Sequence, residues 1–541
     1  MAIAAITLLA PAAASAQAPD PGAYRENDFA GGGLLNIAPP GQNGLTNAAD
    51  AAEYAATGQR PPHQYDQNNM YANLVYAAPG LERAQLDEYF KDGSFGARPA
   101  DVERQYGPDC VIVTPPSPAS EHCGDVTIVR DGFGVPHVYG ADRAALMFGL
   151  GYVTGEDRLF LADVLRHAGR AELSSFIGGS PGNRATDHDV WSNAPYRSDA
   201  ELQLQYDRAD DLYGVEGEQI QADVQSYVDG MNQWIAEARL DPNKMDVLYE
   251  ATNHPEGPQP WEVTDVIATG ALVAGIFGKG GGGEVGAATS LQSAQRVLGT
   301  RQGRAVWEDF RSADDPEAPR TVHRGEFPYR TPPEGRPRGL AMPDPGSVRE
   351  VDVVETSTAE GASARGEGDG GTLRDLLKPL RGLDGGSNAL LVSERESTGG
   401  HPTAVVGPQT GYFAPQLLME QDAHAPAGPE GPAIDARGVA FVGTNLYVQL
   451  GRGVDYAWSA TSAGQDIIDT FALELCEPDG SAPSRGSKHY IWNGNCIRMD
   501  TLRRSNAWEP NAADMTPPGS ETLRTFRTKV GLVTHRATID G

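Results

Sequence analysis

Apolar residues recur at helical spacing over residues 141–177, in the most regular pattern of the chain. Leu161, Leu165 and Ala168 lie three or four positions apart, so one helix face carries all three. Glycines clustered at 151–155 predict a break that divides this stretch into two helices. Similar spacing predicts two further helices, across 215–240 and 262–277.

The pattern changes near residue 386, after which short β-rich runs alternate with Gly or Pro turns. Such runs are typical of strands, because β-branched and aromatic residues pack well on a pleated surface. One earlier run, 126–130, has the same character. The later predicted strands are 388–393, 403–406, 439–442, 446–450, 456–460, 471–475, 488–492 and 526–534. Helices followed by strands predict an α+β fold with a large antiparallel sheet.

Composition divides the chain further. Residues 17–120 are rich in Pro, Gly, Asn and Asp, which predicts a loop-rich N-terminal extension. Residues 310–386 are rich in Pro, Gly, Glu, Arg and Ser with few apolar residues, which predicts a linker, and residues 345–386 are assigned to it as the spacer. The helical region then spans 121–344 and the strand-rich region 387–541. With 541 residues, the chain exceeds what one hydrophobic core usually organises, so more than one packed unit is expected.

The first residues form a short apolar stretch, 1–16, that ends in Ala14-Ser15-Ala16. This small-residue ending is typical of a signal-peptidase site, although no positively charged segment precedes it. It predicts export to the periplasm or the extracellular space. Four cysteines form two local pairs, Cys110 with Cys123 and Cys476 with Cys496. An even number beside an export signal favours two disulfides, with four unpaired buried thiols as the alternative.

The net charge of −30 argues against nucleic acid or an anionic membrane surface as a partner. Surface acidity that keeps the protein soluble is the simplest interpretation of this charge. After the first stretch, no segment reaches the roughly 18 uninterrupted apolar residues of a membrane-spanning helix. The sequence therefore predicts neither nucleic acid nor membrane among the partners.

Two known motifs occur in incomplete form. Gly178-Gly179-Ser180-Pro181-Gly182 matches a nucleophile elbow, but the elbow needs the backbone N–H after the serine, which Pro181 lacks. Gly278-Lys279 and the glycines after it lack the first glycine and the final Ser or Thr of a phosphate-binding loop. We interpret that segment as a mobile loop. Neither H-E-x-x-H nor C-x-x-C is present, so catalytic zinc is not predicted.

A Gly-Gly-Ser sequence, Asp384-Gly385-Gly386-Ser387-Asn388, lies between the linker and the first strand after it. Its position suits a peptide bond that is cut to free Ser387 as a new N-terminus. An N-terminal serine carries nucleophile and base on one residue, because its own α-amine accepts the hydroxyl proton. Most Gly-Gly-Ser triplets are linkers, so this interpretation depends on the surrounding sequence.

Five sequence blocks occur in the order found in penicillin acylases, and together they resemble that family. The first two look like its opening strand-turn and the helix that follows. The third looks like the junction between its two chains, and the last two like active-site loops. The blocks are Arg130–Tyr139, Gly151–Phe160, Gly386–Asn388, Gly407–Gln409 and Trp458–Gly464. The resemblance covers residues 125–541.

This resemblance implies an N-terminal nucleophile hydrolase with an αββα sandwich of antiparallel sheets. Such a precursor cuts itself before Ser387, loses a spacer within 345–386 and becomes an α/β heterodimer. The Ser387 hydroxyl then attacks a small-molecule linear amide, and water hydrolyses the acyl-enzyme. By position, Gln409 lies beside the nucleophile and the backbone N–H of Ser462 stabilises the oxyanion. A purely local structural role is the alternative for Gln409.

The same alignment places Glu284, Asp466, Asp469 and the carbonyl of Ile468 at calcium-ligand positions of the family. Several oxygen donors suit a hard cation such as Ca²⁺. The ion would be structural and would join the two chains. In so acidic a chain, acids that are simply solvated are the alternative. No organic cofactor is implied.

The asparagine that completes the family's oxyanion hole lies further along the second chain than Gly541, so the resemblance implies a truncated sequence. The acyl group is open among penicillin side chains, acyl-homoserine lactones and lipopeptide acyl chains. Two rival functions stay open: an inactive secreted binding protein on the same scaffold, and a serine hydrolase that uses Ser180. The intact junction at Ser387 favours the self-processing acylase.

Overall fold

The computed structural model describes residues 46–62, 78–82, 84–85, 102–111, 118–131, 134–310, 341–359, 387–398, 400, 402–408, 416–429, 431–453, 455–461 and 466–541. The segment 1–16, predicted to direct export, lies outside these residues. The chain divides into two compact units. Unit 1 comprises Met1–Phe277, Ser357–Ser462 and Ser505–Glu521, and unit 2 comprises Gly278–Thr356, Ala463–Arg504 and Thr522–Gly541. Each unit therefore combines sequence from before and after Ser387.

Helices dominate the first part of unit 1. They are α1 Ala48–Thr57, α2 Arg143–Gly169, α3 Leu173–Ile177, α4 Pro181–Asn193, α5 Asp199–Asp207, α6 Ala209–Tyr213, α7 Val215–Leu240, α8 Leu248–Ala251 and α9 Val263–Phe277. The helices predicted at 215–240 and 262–277 are confirmed. Helix α1 lies in the stretch predicted to be loops, and it begins where Asn47 Oδ1 accepts the Asp50 N–H at 2.9 Å. That side-chain cap supplies the helix start.

The predicted division of this stretch into two helical pieces is confirmed, but it does not occur at the glycines near residue 151. A Cβ at Gly151 would meet the carbonyl oxygen of Tyr227, and one at Gly155 would lie 2.7 Å from the Trp234 Cβ. Both neighbours belong to α7, so the glycines permit close packing of two helices. Helical dihedral angles fail instead at Arg158, beyond the glycines. The sequence pattern shows a small residue but not what lies against it.

The described strands fall into two groups, three within 102–140 and the others from Arg349 onward. They are β1 Val102–Tyr106, β2 Val126–Asp131, β3 Pro136–Gly140, β4 Arg349–Glu350, β5 Val354–Ser357, β6 Ser387–Val392, β7 Thr403–Pro408, β8 Leu418–Ala425, β9 Ile434–Phe441, β10 Leu450–Arg452, β11 Ala457–Trp458, β12 Leu475–Cys476, β13 His489–Trp492, β14 Asn495–Arg498, β15 Asp500–Trp508, β16 Gly519–Arg527 and β17 His535–Arg536. Together with the helices they confirm a mixed α+β fold.

The largest sheet belongs to unit 1 and has seven strands in the order β1-β2-β3-β8-β9-β10-β11. Its neighbouring strands are antiparallel, except that β3 and β8 run parallel. Helix α2 packs closely on this sheet, since a Cβ at Gly149 would lie 2.5 Å from Val138 Cγ1. The fully buried side chains between them include Ile128, Leu146 and Met419. The core of unit 1 therefore lies between the long helix and the sheet.

Unit 2 has a smaller core, formed by Tyr490, Met499 and Phe526. Helices α10 Glu284–Leu298 and α11 Thr300–Phe310 follow its glycine-rich loop. Strand β4 pairs with β17, and a separate sheet has the order β15-β16-β5. Strands β4 and β5 lie in the first part of the stretch 345–386, whose composition predicts a spacer. Polar composition alone does not reveal that these short strands have partners far along the chain.

Some predicted strands are shorter in the structure. Of the predicted strands 446–450 and 471–475, only Leu450 and Leu475 lie in strands. Residues 442–447 instead form turns that bury the side chain of Asn445. Both local cysteine pairs form disulfides, Cys110–Cys123 and Cys476–Cys496, as predicted. No helix in the described part of the chain is long and apolar enough to cross a membrane.

A buried histidine–carboxylate pair joins β3 to β8. His137 Nδ1 lies 2.8 Å from Asp422 Oδ2, and both side chains are almost fully buried. Burial lowers the pKa of His137, although its hydrogen bond to Asp422 works against that change. Burial opposes ionisation of Asp422, but the charge of His424 and the His137 hydrogen bond hold its pKa well below its usual range. A neutral His137 and an ionised Asp422 are therefore the forms that the fold favours.

We expect unit 1 to lose stability on acidification, because His137 and Asp422 both bind protons more readily in the unfolded chain. A folded-state pKa below the unfolded value adds stability above the unfolded pKa, and this is lost as the pH falls through the folded one. The His137 contribution falls away below about pH 6.5, and that of Asp422 below about pH 4. Thermal midpoints across this range test the prediction. In His137→Asn the thermal midpoint should depend less on pH near pH 6.5, because the histidine contribution is gone. The same pH dependence in wild type and variant would contradict the prediction.

Candidate active site and cation cluster

Ser387 is the first residue of strand β6 and is half-buried. Strand β6 pairs antiparallel with β7, and this register places Ser387 opposite Pro408 and Asn388 opposite Gly407. Pro408 immediately precedes Gln409, the residue predicted to lie beside the nucleophile. Gln409 itself lies outside the described residues, as does Ser462. The pairing nevertheless brings the chain next to Gln409 to the start of the strand that carries Ser387.

The hairpin of β6 and β7 exposes apolar side chains in the described part of the chain. Leu390 is 64% exposed, Leu391 is 73% exposed and Val405 is 63% exposed. Leu390 and Leu391 are adjacent, so they point to opposite faces of the hairpin. A strand that is apolar on both faces is typical of the interior of a sheet covered on both sides. The sequence around Ser387 therefore has the character of a central strand.

Three carboxylates predicted as cation ligands lie together in unit 2. One oxygen each from Glu284, Asp466 and Asp469 lies within 4.8 Å of the others, and all three residues are exposed. Glu284 is the first residue of α10, while the two aspartates flank Ile468 almost two hundred residues later. Thr470 Oγ1 donates a hydrogen bond to Glu284 Oε2 at 2.6 Å, which fixes that carboxylate.

The glycine-rich loop explains how these distant acids meet. Gly281 forms a parallel bridge with Ile468, and the Gly282 N–H donates to the Ile468 carbonyl at 2.5 Å. Gly281 has φ +87, and a Cβ there would collide with Asp466 Oδ1 and the Ile468 carbonyl oxygen. Only glycine permits this approach without strain. The glycine-rich loop, which was predicted to be mobile, is thus hydrogen-bonded to the segment that carries Asp466 and Asp469.

The donor set of this cluster consists of oxygen atoms. Carboxylates with a backbone carbonyl are the ligands that Ca²⁺ takes in proteins, whereas zinc sites use nitrogen and sulfur. The Ile468 carbonyl already accepts one hydrogen bond and retains a second lone pair. The residues therefore fit a hard cation, with Glu284, Asp466, Asp469 and the Ile468 carbonyl as its donors.

Ser180, the serine of the incomplete nucleophile elbow, has a structural role. It caps helix α4, with its Oγ 3.5 Å from the Asn183 N–H, and Pro181 is the first residue of that helix. Its own N–H donates to Asp514 Oδ2 at 2.8 Å. The segment follows helix α3 rather than a strand, so the geometry excludes a strand-to-helix elbow, as predicted.

Sequence reasoning missed Asn445, which is fully buried in unit 1. Its Oδ1 accepts the Tyr227 hydroxyl at 2.7 Å, and its Nδ2 donates to Thr154 Oγ1 at 2.7 Å and Gln421 Oε1 at 2.9 Å. Gln421 Nε2 donates in turn to the Asn445 carbonyl at 2.6 Å. One side chain thus connects α2, α7 and β8. The sequence signal was weak, because Asn445 is one of two polar residues between Val442 and Leu446.

Comparison with known proteins gives three findings. Residues 125–540 match the penicillin amidase family model. Penicillin G acylase of Escherichia coli is 25% identical over 397 residues, which are 71% of this chain and 43% of that protein. The chain therefore spans less than half the length of this relative. A thermostable penicillin G acylase from Alcaligenes faecalis gives a TM-score of 0.32 at 26% identity, covering 37% of this chain and 98% of that one.

The family match extends over most of the chain. It includes the junction at Ser387 and the acids of the cation cluster. The five sequence blocks that resemble penicillin acylases also fall within it. The chain belongs to the penicillin amidase family.

Proposed function

We propose that the chain is the self-processing precursor of an amidohydrolase that cleaves small linear amides through an acyl-enzyme on Ser387. Family membership supports amide hydrolysis, and the matched region includes the junction. The observation that carries the proposal is the placement of Ser387 at the start of β6, opposite the residue that precedes Gln409. A serine at a strand start suits this role, because cleavage would leave its α-amine beside its hydroxyl on a fixed backbone.

The reaction then follows from the groups on this chain. The freed α-amine of Ser387 accepts the hydroxyl proton, and Oγ attacks the amide carbonyl. The backbone N–H of Ser462 donates to the developing oxyanion, and one such donor contributes on the order of 100- to 1,000-fold in rate. The family resemblance implies that Gln409 lies beside the nucleophile. The amine product leaves with a proton, and water hydrolyses the ester to release the acid.

The proposal includes a two-chain product with an αββα sandwich and an exported location. Its chains derive from the regions 121–344 and 387–541, with residues 17–120 as an N-terminal extension. Because β5 is paired with β16 up to Ser357, we place the start of the removed spacer after Ala359. The short apolar segment 1–16 supports export, as does the presence of two disulfides.

The cluster of Glu284, Asp466 and Asp469 is proposed to hold a structural Ca²⁺ ion in unit 2. Bound Ca²⁺ would supply the positive charge that offsets three neighbouring carboxylates, and it takes no part in the chemistry at Ser387. We expect millimolar Ca²⁺ to raise the thermal midpoint of unit 2, since a ligand that binds only the folded state stabilises it. Removal by a chelator should reverse the increase.

Glu284→Gln tests the cluster because it keeps the shape and removes one charged ligand. We expect it to weaken Ca²⁺ binding at least 10-fold by calorimetry, a loss of about 1.4 kcal/mol. Glu474→Gln is the matched control, since Glu474 is an exposed acid of the same unit outside the cluster. Equal affinities for both variants would show that the acids are merely solvated.

The acyl group is tested with a panel of chromogenic amides that runs from short aryl to long alkyl acyl groups. Small apolar differences change selectivity by only about 1–3 kcal/mol, so one acyl class should be preferred by roughly 10- to 200-fold. A preference for aryl groups supports a penicillin-type side chain. A preference for long alkyl groups supports an acyl-homoserine lactone or a lipopeptide. Background rates throughout, equal for wild type and Ser387→Cys, would favour the alternative of an inactive binding protein.

A further inference from the structure

Residues 102–111, here called the edge segment, precede the region that matches the family model. They nevertheless form part of unit 1, because β1 pairs antiparallel with β2 at one edge of the main sheet. The approach is close at Gly107, where a Cβ would lie 2.9 Å from the carbonyl oxygen of Val126. The edge segment therefore packs closely against the rest of unit 1.

The edge segment supplies two of the donors that reach the buried Glu156 on α2. Arg104 Nη2 donates to Glu156 Oε1 at 2.5 Å, and the Tyr106 hydroxyl donates to Oε2. Arg130 of β2 provides the third donor, at 2.6 Å. Burial alone would raise the pKa of Glu156, but the charges of Arg130 and Arg104 hold it below its usual range. The edge segment thus supplies two of the three side-chain donors to this carboxylate.

A second buried carboxylate holds the other end of the segment. The Asp109 N–H donates to Glu237 Oε1 at 2.9 Å. Lys244 Nζ donates to the side-chain carboxylates of both Asp109 and Glu237. Glu237 is only 2% exposed, and the Tyr152 hydroxyl of α2 donates to its Oε2 at 2.7 Å. The edge segment therefore closes over two buried acids, one on each of the packed helices α2 and α7.

One covalent bond fixes this arrangement. Cys110, the residue after Asp109, is exposed and is bonded to Cys123, which is buried in the 3₁₀ helix Pro118–Asp125 before β2. Cys110 is thus the more exposed residue of the pair. A disulfide limits the freedom of the open state, so its loss favours opening of whatever it ties down.

We propose that the edge segment is a redox-released latch, closed over Glu156 and Glu237 by the Cys110–Cys123 disulfide and opened by a dithiol reductant. A thiolate of the reductant attacks Cys110 Sγ, the S–S bond breaks, and Cys123 leaves as a thiolate that takes up a proton. The second thiol of the reductant then resolves the mixed disulfide and releases Cys110. The protein gains two thiols, and the reductant becomes a cyclic disulfide.

Hydrogen exchange before and after dithiothreitol treatment tests the latch in a C476S/C496S background, in which Cys110–Cys123 is the sole disulfide. Reduction should speed amide exchange within β1 by roughly 10- to 100-fold, while the buried middle of α7 stays protected. The double variant C110S/C123S should show the fast rate without reductant. Unchanged exchange in β1 on reduction would overturn the proposal.

Arg104→Met distinguishes the loss of the latch contacts from a general loss of stability. Methionine is an unbranched side chain like that of arginine, but it has no donor to Glu156. We expect it to speed exchange in β1 under oxidising conditions at least 5-fold more than Gln105→Met, whose wild-type side chain is exposed beside it. Equal effects of the two substitutions would contradict the latch. Ser387→Ala protein should show the same redox response, so this result stands apart from the proposed hydrolase activity.

Discussion

Ser387→Ala is expected to leave the protein as one uncut chain, whereas the wild type separates into two fragments on denaturing electrophoresis. The substitution removes the hydroxyl that we propose attacks its own preceding carbonyl, so the bond after Gly386 cannot be exchanged for an ester. The same hydroxyl is the proposed nucleophile toward substrate. Loss of a serine nucleophile costs on the order of 10⁶-fold in rate. Amide hydrolysis should therefore fall to background together with processing.

N-terminal sequencing of the smaller wild-type product should read Ser-Asn-Ala, the first residues of β6. Ser180→Ala is the matched control, because Ser180 caps a helix and carries no proposed chemistry. It should process as the wild type does. If wild type and Ser387→Ala migrate identically as uncut chains, self-processing is wrong. If Ser180→Ala alone blocked hydrolysis, the rival serine hydrolase would replace this proposal.

Asn445→Ala is expected to destabilise unit 1 by about 3–5 kcal/mol, the second large effect. The alanine leaves the Tyr227 hydroxyl, Thr154 Oγ1 and the Gln421 side chain without a shared partner in a fully buried place. Each buried polar group without a partner costs about 1–3 kcal/mol, and the groups form one network. Guanidinium unfolding followed by tryptophan fluorescence measures the change, which appears as a lower midpoint for unit 1.

Gln205→Ala provides the control, because Gln205 is an exposed residue of α5. Its substitution should change the midpoint only slightly. Tyr227→Phe removes a single hydroxyl and should cost about 1 kcal/mol, less than Asn445→Ala. An Asn445→Ala midpoint equal to that of Gln205→Ala would show that the network contributes nothing to folding.

Local pattern predicted the helices well where one face is apolar along the whole length, as in α7 and α9. The prediction failed where a residue packs against another that is distant in sequence. Gly151 and Gly155 have the signature of a helix break, yet they lie inside α2 because α7 packs on them. Strands β4 and β5 were predicted as spacer because two- to four-residue strands carry no periodicity.

The candidate site likewise contains residues that the sequence predicted and one that it did not. The strand predicted at 388–393 is present as Ser387–Val392, so it also includes Ser387 as its first residue. The resemblance named Glu284, Asp466 and Asp469, which the structure brings together through the bridge of Gly281 with Ile468. Their role as ligands stays a prediction, as do the roles of Gln409 and Ser462. Asn445 could not be predicted, because its partners Thr154 and Tyr227 lie on helices that precede it by two to three hundred residues, at separations of 291 and 218.

The positions of the two disulfides have a consequence for the cut protein. Cys110–Cys123 lies entirely before Ser387 and Cys476–Cys496 entirely after it, so neither bond crosses the junction. The fragments would be joined in unit 1 by the parallel pairing of β3 with β8 and by the hydrogen bonds of Asn445. Denaturant without reductant should therefore separate them, each with its own disulfide intact. The fragment before Ser387 from one variant could then be mixed and refolded with the fragment after it from another variant. Such hybrids would show whether an unaltered fragment restores the function that its altered counterpart had lost.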